Sequence, residues 1–268
     1  MSLKNMKTQR ILTSTQGWIA ALLVAFTTSA FAADAALPTP QEIVAKYIKA
    51  IGGKESLMKT SSMRAKGKFD IPAQKMGGEI EVLRAKPNHQ LVKLKLNLPT
   101  GEPMVINTGF DGTNGWLSMP FPGPMLLEGK MLDQARDEAD FYSQLHEESG
   151  YSKMQTVGTT IFGGKECYEV KFVRKSGRET TEYFDVRSGL QIGAKANQET
   201  PQGAVDVVTR QEDYQKFGDL QIPTRMTQKM GDVEQVITIS SVTFEAIPDK
   251  DMEAPSEIKA LLKSSAKH

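Results

Sequence analysis

The feature that most constrains this chain is an alternating run that turns back on itself. In residues 167–172 the apolar Tyr168, Val170 and Phe172 recur at every second position, the period of a strand with one buried face. Lys175-Ser176-Gly177-Arg178 then reverses the chain, Gly177 being free to take positive φ, and residues 180–185 return alongside. After a second turn at Ser188-Gly189, Leu190, Ile192 and Ala194 resume the alternation. A centre written this way commits the chain to antiparallel sheet.

The flanks follow the same rule. Met63, Ala65, Gly67 and Phe69 alternate with Arg64, Lys66, Lys68 and Asp70. Ile80 and Val82 lead to a turn at Lys86-Pro87-Asn88, after which Val92, Leu94, Leu96 and Leu98 alternate with Lys93 and Lys95. Asp111-Gly112 and Asn114-Gly115 are strong hairpin signals, and Trp116 beside them belongs either to the core or to a ligand-facing wall. Later runs through Val205 and Val207, and through Val236, Thr238 and Val242, bring the expectation to about ten or eleven strands with no fixed repeat.

Two segments break the pattern. Thr39-Pro40-Gln41-Glu42 is a capping box with proline at the first helical position, and Ile43, Val44, Tyr47, Ile48 and Ile51 form one helical stripe before Gly52-Gly53. A helix this short is marginal in water, so it must dock on the sheet. Residues 119–127 carry Pro120, Pro122 and Pro124 and cannot be a central strand, yet Met119, Phe121, Met125 and Leu126 are too apolar for an idle loop. Residues 130–145 then read as a helix with Leu132, Ala139, Tyr142 and Leu145 on one broad face. The simplest account of 119–148 is a lid over one face of the sheet; the alternative is a plug that fills the core.

The fold expected is therefore mainly β (α+β): a large curved antiparallel sheet or half-open barrel, with an N-terminal helix and a central helical lid. A single domain spans 39–256, with 33–38 as a leader and 257–268 as a short helix and tail ending in His268. Residues 1–32 read as a signal peptide: Lys4, Lys7 and Arg10 precede an apolar run from Trp18 to Phe26, and Ala30-Phe31-Ala32 offers a cleavage site at Ala32. Without those three cations the remaining Lys and Arg nearly balance the 32 Asp and Glu, which argues against a nucleic-acid partner. The expected location is the periplasm.

Chemistry is sparse. The three histidines, His89, His146 and His268, lack metal-ligand spacing, and His146-Glu147-Glu148 reads as a solvated helix end. Cys167, the single cysteine, sits inside a strand with no histidine motif beside it and reads as a small core residue, a reactive thiol being the alternative. The glycine pairs precede no phosphate loop. Neither an enzyme, nor a metal, nor a cofactor is expected.

Several pieces together resemble a family: Tyr47-Ile48-Lys49-Ala50-Ile51-Gly52-Gly53, Gly109-Phe110-Asp111-Gly112 to Trp116, Asp140-Phe141, Gly163-Gly164-Lys165-Glu166-Cys167-Tyr168-Glu169-Val170, Tyr183-Phe184-Asp185 and Ile222-Pro223. They are similar to the LolA/LolB-like proteins of outer-membrane lipoprotein-sorting type. The resemblance implies a half-closed barrel whose concave face holds lipid or lipoprotein acyl chains, with an arginine helping to gate the lid. On that reading Trp116, Met119, Phe121, Met125, Leu126, Leu132 and Tyr142, with Val92, Leu94 and Leu96, border the ligand, and the protein acts as a monomer. The competing reading is an interaction module with a filled core, whose 119–148 segment docks an envelope protein.

Overall fold

A computed structural model describes residues 36–98 and 101–265. The expected signal peptide, the first leader residues and His268 lie outside the described residues. Helices α1 (Pro40–Ala50) and α2 (Lys54–Lys59) precede β1 (Ser62–Ile71), β2 (Met76–Ala85), β3 (His89–Asn97), β4 (Met104–Asp111), β5 (Gly115–Ser118) and β6 (Met125–Leu126). Helix α3 (Gly129–Ala139) leads to β7 (Tyr151–Phe162), β8 (Lys165–Arg174), β9 (Glu179–Asp185) and β10 (Gln191–Thr200). Then come β11 (Gly203–Phe217), β12 (Leu220–Met230), β13 (Val233–Thr243), α4 (Asp249–Met252) and α5 (Ser256–Ser265).

All thirteen strands lie in one antiparallel sheet, ordered β6-β5-β4-β3-β2-β1-β13-β12-β11-β10-β9-β8-β7. The sheet does not close. Its two edges, β6 and β7, follow one another in sequence, so residues 127–150 must carry the chain from one edge to the other. The expected count fell short because β5 and β6 are too brief to show alternation, and β6 lies just beyond Pro124. As anticipated, the Pro-rich stretch is no central strand; it supplies an edge, where a missing N–H costs no ladder bond.

The central hairpin has the register its sequence demands, with Cys167 opposite Asp185, Val170 opposite Glu182 and Phe172 opposite Thr180. Val170, Phe172 and Phe184 are fully buried on one face, where Ile43, Val44, Tyr47 and Ile51 of α1 cover them. The cap that starts α1 is reciprocal: Thr39 Oγ1 accepts from the Glu42 N–H, and the Glu42 carboxylate accepts from the Thr39 N–H at 2.7 Å. Such a cap contributes about 0.5–2 kcal/mol. Gly52 then lets the chain pass the β11–β12 turn, since a Cβ there would lie 2.3 Å from the Asp219 carbonyl oxygen and φ is +123°. The Gln221 N–H donates to the Ile51 carbonyl across this junction.

Four smaller clusters complete the packing, one of them Ala65, Ile239 and Val242 in the middle of the sheet with Met63, Val82 and Met226 against it. Phe69, Ile71, Ile80 and Leu96 form a second, with Val92 and Leu94 against it. Leu83, Leu91 and Trp116 form another beneath Ile258 of α5, joined by Leu126. Trp116 is thus core, and α5 belongs with that core. On the opposite face of the central hairpin, Cys167 packs with Tyr183, Ile192 and Phe162.

The middle helix is shorter than its periodicity suggests. It stops at Ala139, and after Asp140 a 3-10 turn at Ser143–Leu145 leads to His146 in the left-handed region at φ +46°. The cause is tertiary. The Glu138 and Asp140 carbonyls accept from Arg84 of β2, and the Phe141 N–H donates to the Pro87 carbonyl. These groups leave the helical ladder because the sheet offers them partners.

Burial pushes the Cys167 thiol above its ordinary value. The native chain should therefore resist a thiol reagent and label fully only in denaturant. Stoichiometric labelling of the native protein would revive the reactive-thiol reading.

Candidate functional site

Residues 127–150 form a strap, and its contacts measure how strongly the sheet curls. Glu138 is held from two sides: its carbonyl accepts from Arg84 Nη2 at 2.9 Å, and its Oε1 accepts from Arg178 Nη2 at 2.9 Å. Arg84 lies on β2, whereas Arg178 lies in the β8–β9 turn, six strand steps from β2 to β9. In a flat sheet six steps would separate them by about 29 Å. Only a strongly bent sheet brings both to one residue.

Between the bent sheet and the strap is a cavity of about 480 Å³. That is within the range of roughly 300–1,000 Å³ common for small-molecule sites. Its apolar lining comes from the middle of the sheet: Met63 and Ala65 of β1, Val82 of β2, Met226 of β12 and Ile239 of β13. Its charged lining comes from Arg84, from Arg174, Arg178 and Glu182 around the β8–β9 hairpin, and from Asp137, Glu138 and His146 of the strap.

The strap is fastened by polar and apolar contacts together. Besides the two bonds to Glu138, the Asp140 carbonyl accepts from Arg84 Nη2 at 2.7 Å. Asp137 Oδ2 accepts from Ser176 Oγ at 2.9 Å and lies 3.9 Å from Arg174 Nε. Burial pushes the Arg84 guanidinium below its ordinary value, against the pull of the Asp140 and Glu138 charges. Apolar packing holds it as well: Ala139 and Phe141 are buried, and Tyr142 and Leu145 pack in the α1 core.

Neither a family model nor a curated protein matches this chain. Solved structures do. A LolA superfamily protein from Nitrosomonas europaea is 15% identical, covers 81% of this chain and 99% of its own, and superposes with a TM-score of 0.53. A candidate outer membrane lipoprotein-sorting protein domain from Vibrio parahaemolyticus is 11% identical over 83% of this chain and 97% of its own, with a TM-score of 0.51. A DUF1329 family protein from Desulfovibrio piger reaches 0.56 at 10% identity, covering 82% of this chain and 100% of its own. This protein has a LolA-like fold. At such identities the likeness is one of architecture, and function must be argued from the site.

Within the LolA-like sheet, the expected ligand wall and the observed cavity coincide at one residue. Tyr142 lines the cavity and donates through its hydroxyl to the Thr60 carbonyl at 3.0 Å. The other nine lie outside the lining. Val92, Leu94 and Leu96 pack in the Phe69 cluster, and Trp116 and Leu126 pack under α5. Met119 and Met125 are half-buried near the β6 edge, and Phe121 is 87% exposed. Leu132 packs close to Gly115, 3.2 Å from where a Cβ would stand. The physical reason is that the Pro-rich stretch ends in β6 and packs against the β5 edge and α5, while residues 137–146 line the hollow.

His146 corrects the expectation of a solvated helix end. It is buried, its ring centroid 4.9 Å from that of Phe172 and stacked on Tyr151 at 6.1 Å. Nδ1 meets the Gln144 carbonyl at 2.9 Å and Nε2 meets Glu182 Oε2 at 3.0 Å. Both partners are acceptors, so only the imidazolium satisfies both. Gln191 Nε2 donates to the same Glu182 oxygen at 2.8 Å, and Tyr214 donates to the Gln191 carbonyl at 2.6 Å, extending the network to β11. One signal was available: Glu182 shares the inward face with Val170 and Phe184, and an inward carboxylate needs a partner.

Among the described residues no group of three or more His, Cys, Asp or Glu could hold a metal ion. Among them, too, no helix is long and apolar enough to cross a membrane.

Burial pushes the His146 pKa down, but the charge and hydrogen bond of Glu182 outweigh it and leave the value above the ordinary 6.5. A raised folded-state value stabilises the fold fully below pH 6.5 and loses that contribution as pH rises through it. The melting temperature should thus fall as pH rises from about 6 to 9, and His146→Phe should flatten that slope. An unchanged slope in the variant would remove His146 as its origin.

Proposed function

We propose that this protein is an exported periplasmic carrier that shelters the apolar part of a lipid or lipoprotein in its concave cavity, without catalysis and as a monomer. The observation that carries this reading is the hollow itself: about 480 Å³ left unfilled between the apolar middle of the sheet and a strap held in part by hydrogen bonds and ion pairs. An unfilled apolar interior forfeits packing, so its retention favours a ligand that restores the lost contacts. The LolA-like fold and the signal-like N terminus support the same compartment and cargo. The filled-core interaction module is disfavoured by the same hollow.

Opening fits the energetics. Glu138 is 41% exposed on its side chain, and partly exposed ion pairs of this kind contribute about 0–1 kcal/mol each. The strap can leave the sheet at modest cost, while Leu145 and His146 keep its end anchored. Arg84, which donates to the Glu138 and Asp140 carbonyls, is the arginine positioned to gate the strap.

Native mass spectrometry tests this directly. The full chain should carry one phospholipid, co-purified or added. Met226→Trp, which fills the cavity from β12, should weaken binding by about tenfold or more with little change in melting temperature. Absence of any bound lipid, or equal binding by the variant, would count against the carrier.

A further inference from the structure

The cavity carries more guanidinium donors than the strap uses. Three guanidinium groups, Arg84, Arg174 and Arg178, line it. Facing them are Asp137, Glu138 and Glu182, and Glu182 is engaged by His146 and Gln191. Asp137, Glu138 and Asp140, the last acting on Arg84, are left to answer the three guanidinium groups. The surplus lies in hydrogen-bond donors: Arg84 Nε and Arg178 Nε are buried N–H donors without any partner. A buried unpaired donor on a charged group is costly, and it needs explaining in a native site.

All three arginines also converge on one short piece of the strap, residues 137–140. Arg84 holds its carbonyls, Arg178 holds the Glu138 carboxylate, and Arg174 stands beside Asp137. The strap carboxylates thus occupy positions an anion could take. Guanidinium forks suit phosphate and carboxylate because they offer paired, parallel donors. An uncharged head would leave both Nε–H groups unpaired, and a cationic head would be repelled.

Building on the carrier reading, we propose that the ligand is an amphipathic molecule with an anionic headgroup, docked on Arg84, Arg174 and Arg178 in place of the Asp137 and Glu138 carboxylates. The apolar chain then lies against Met63, Ala65, Val82, Met226 and Ile239. Displacing the two carboxylates frees the strap, so that recognition of the head and opening of the cavity are one event. The Arg178–Glu138 pair is partly exposed and the Arg174–Asp137 pair is mostly covered, so an anion must make more contacts than the two carboxylates to replace them.

The experiment compares short-chain phosphatidylglycerol, diacylglycerol with the same chains and free glycerol phosphate on the full chain. Phosphatidylglycerol should bind at least about tenfold more tightly than diacylglycerol, the scale of a lost charge-assisted contact. Arg174→Ala/Arg178→Ala should abolish that preference, with phosphatidylglycerol falling to the level of diacylglycerol. Asp137→Asn/Glu138→Gln, which removes the competing carboxylates, should tighten phosphatidylglycerol specifically, and it decides the matter alone if the arginine variant does not fold. Equal binding of the two lipids overturns the headgroup site while leaving the carrier intact. So does an arginine variant that tightens both lipids alike, since the arginines would then be latches only. Glycerol phosphate binding as tightly as phosphatidylglycerol would indicate a free-phosphate site and overturn the lipid assignment. Binding of neither lipid would mean that the carrier reading itself has failed, and the headgroup with it.

Discussion

Everything in this structure depends on the passage of the chain between the two free edges of its sheet. Laid flat, thirteen strands would set β6 and β7 roughly 58 Å apart at about 4.8 Å per step. Residues 127–150 include the helix Gly129–Ala139, which advances only about 1.5 Å per residue, and could barely reach that far with every other residue fully extended. A strap that also makes side-chain contacts on both halves requires the sheet to bend around it. The bend creates a concave face, the strap covers part of it, and the hollow between them follows from connectivity.

Which forces hold each part then decides what can move. The sheet wall is apolar and closely packed, with Val170, Phe172 and Phe184 fully buried under α1. The strap between Asp137 and Asp140 is held by donors from Arg84, Ser176 and Arg178. Apolar packing is lost all at once when a core opens, whereas hydrogen bonds at a partly wet boundary exchange with water at small net cost. The wall is built to persist and the strap to be exchanged. His146 and Leu145 mark the junction, buried at the strap's end against the α1 core.

The architecture was legible in local pattern because local chemistry determines it. Alternation at Tyr168, Val170 and Phe172 gave the hairpin, Thr39 and Glu42 gave the start of α1, and Gly52 its end. The site was less legible for a physical reason. Alternation says which residues share a face, but not which face becomes concave, since both faces of this sheet bury apolar clusters. Phe121 and Met125 looked like a greasy flap, yet they lie near the β6 edge. Arg84 looked like one more polar residue on a strand; its role depends on carbonyls more than fifty positions away. His146 looked solvated because its partner, Glu182, lies on another strand. Sequence spacing cannot carry such pairings, although a carboxylate at an inward strand position was a warning.

The central claim is that cargo reaches the hollow only when the strap leaves the sheet. Asp137 and Ser176 face one another with 2.9 Å between their side-chain oxygens, so cysteines placed there face each other across the strap contact, and buried Cys167 would not compete. Uptake of a diacyl lipid by Asp137→Cys/Ser176→Cys, measured oxidised and then reduced, is the most direct measurement. The account predicts that the oxidised protein stays empty and that reduction restores loading. Equal loading in both states would contradict it.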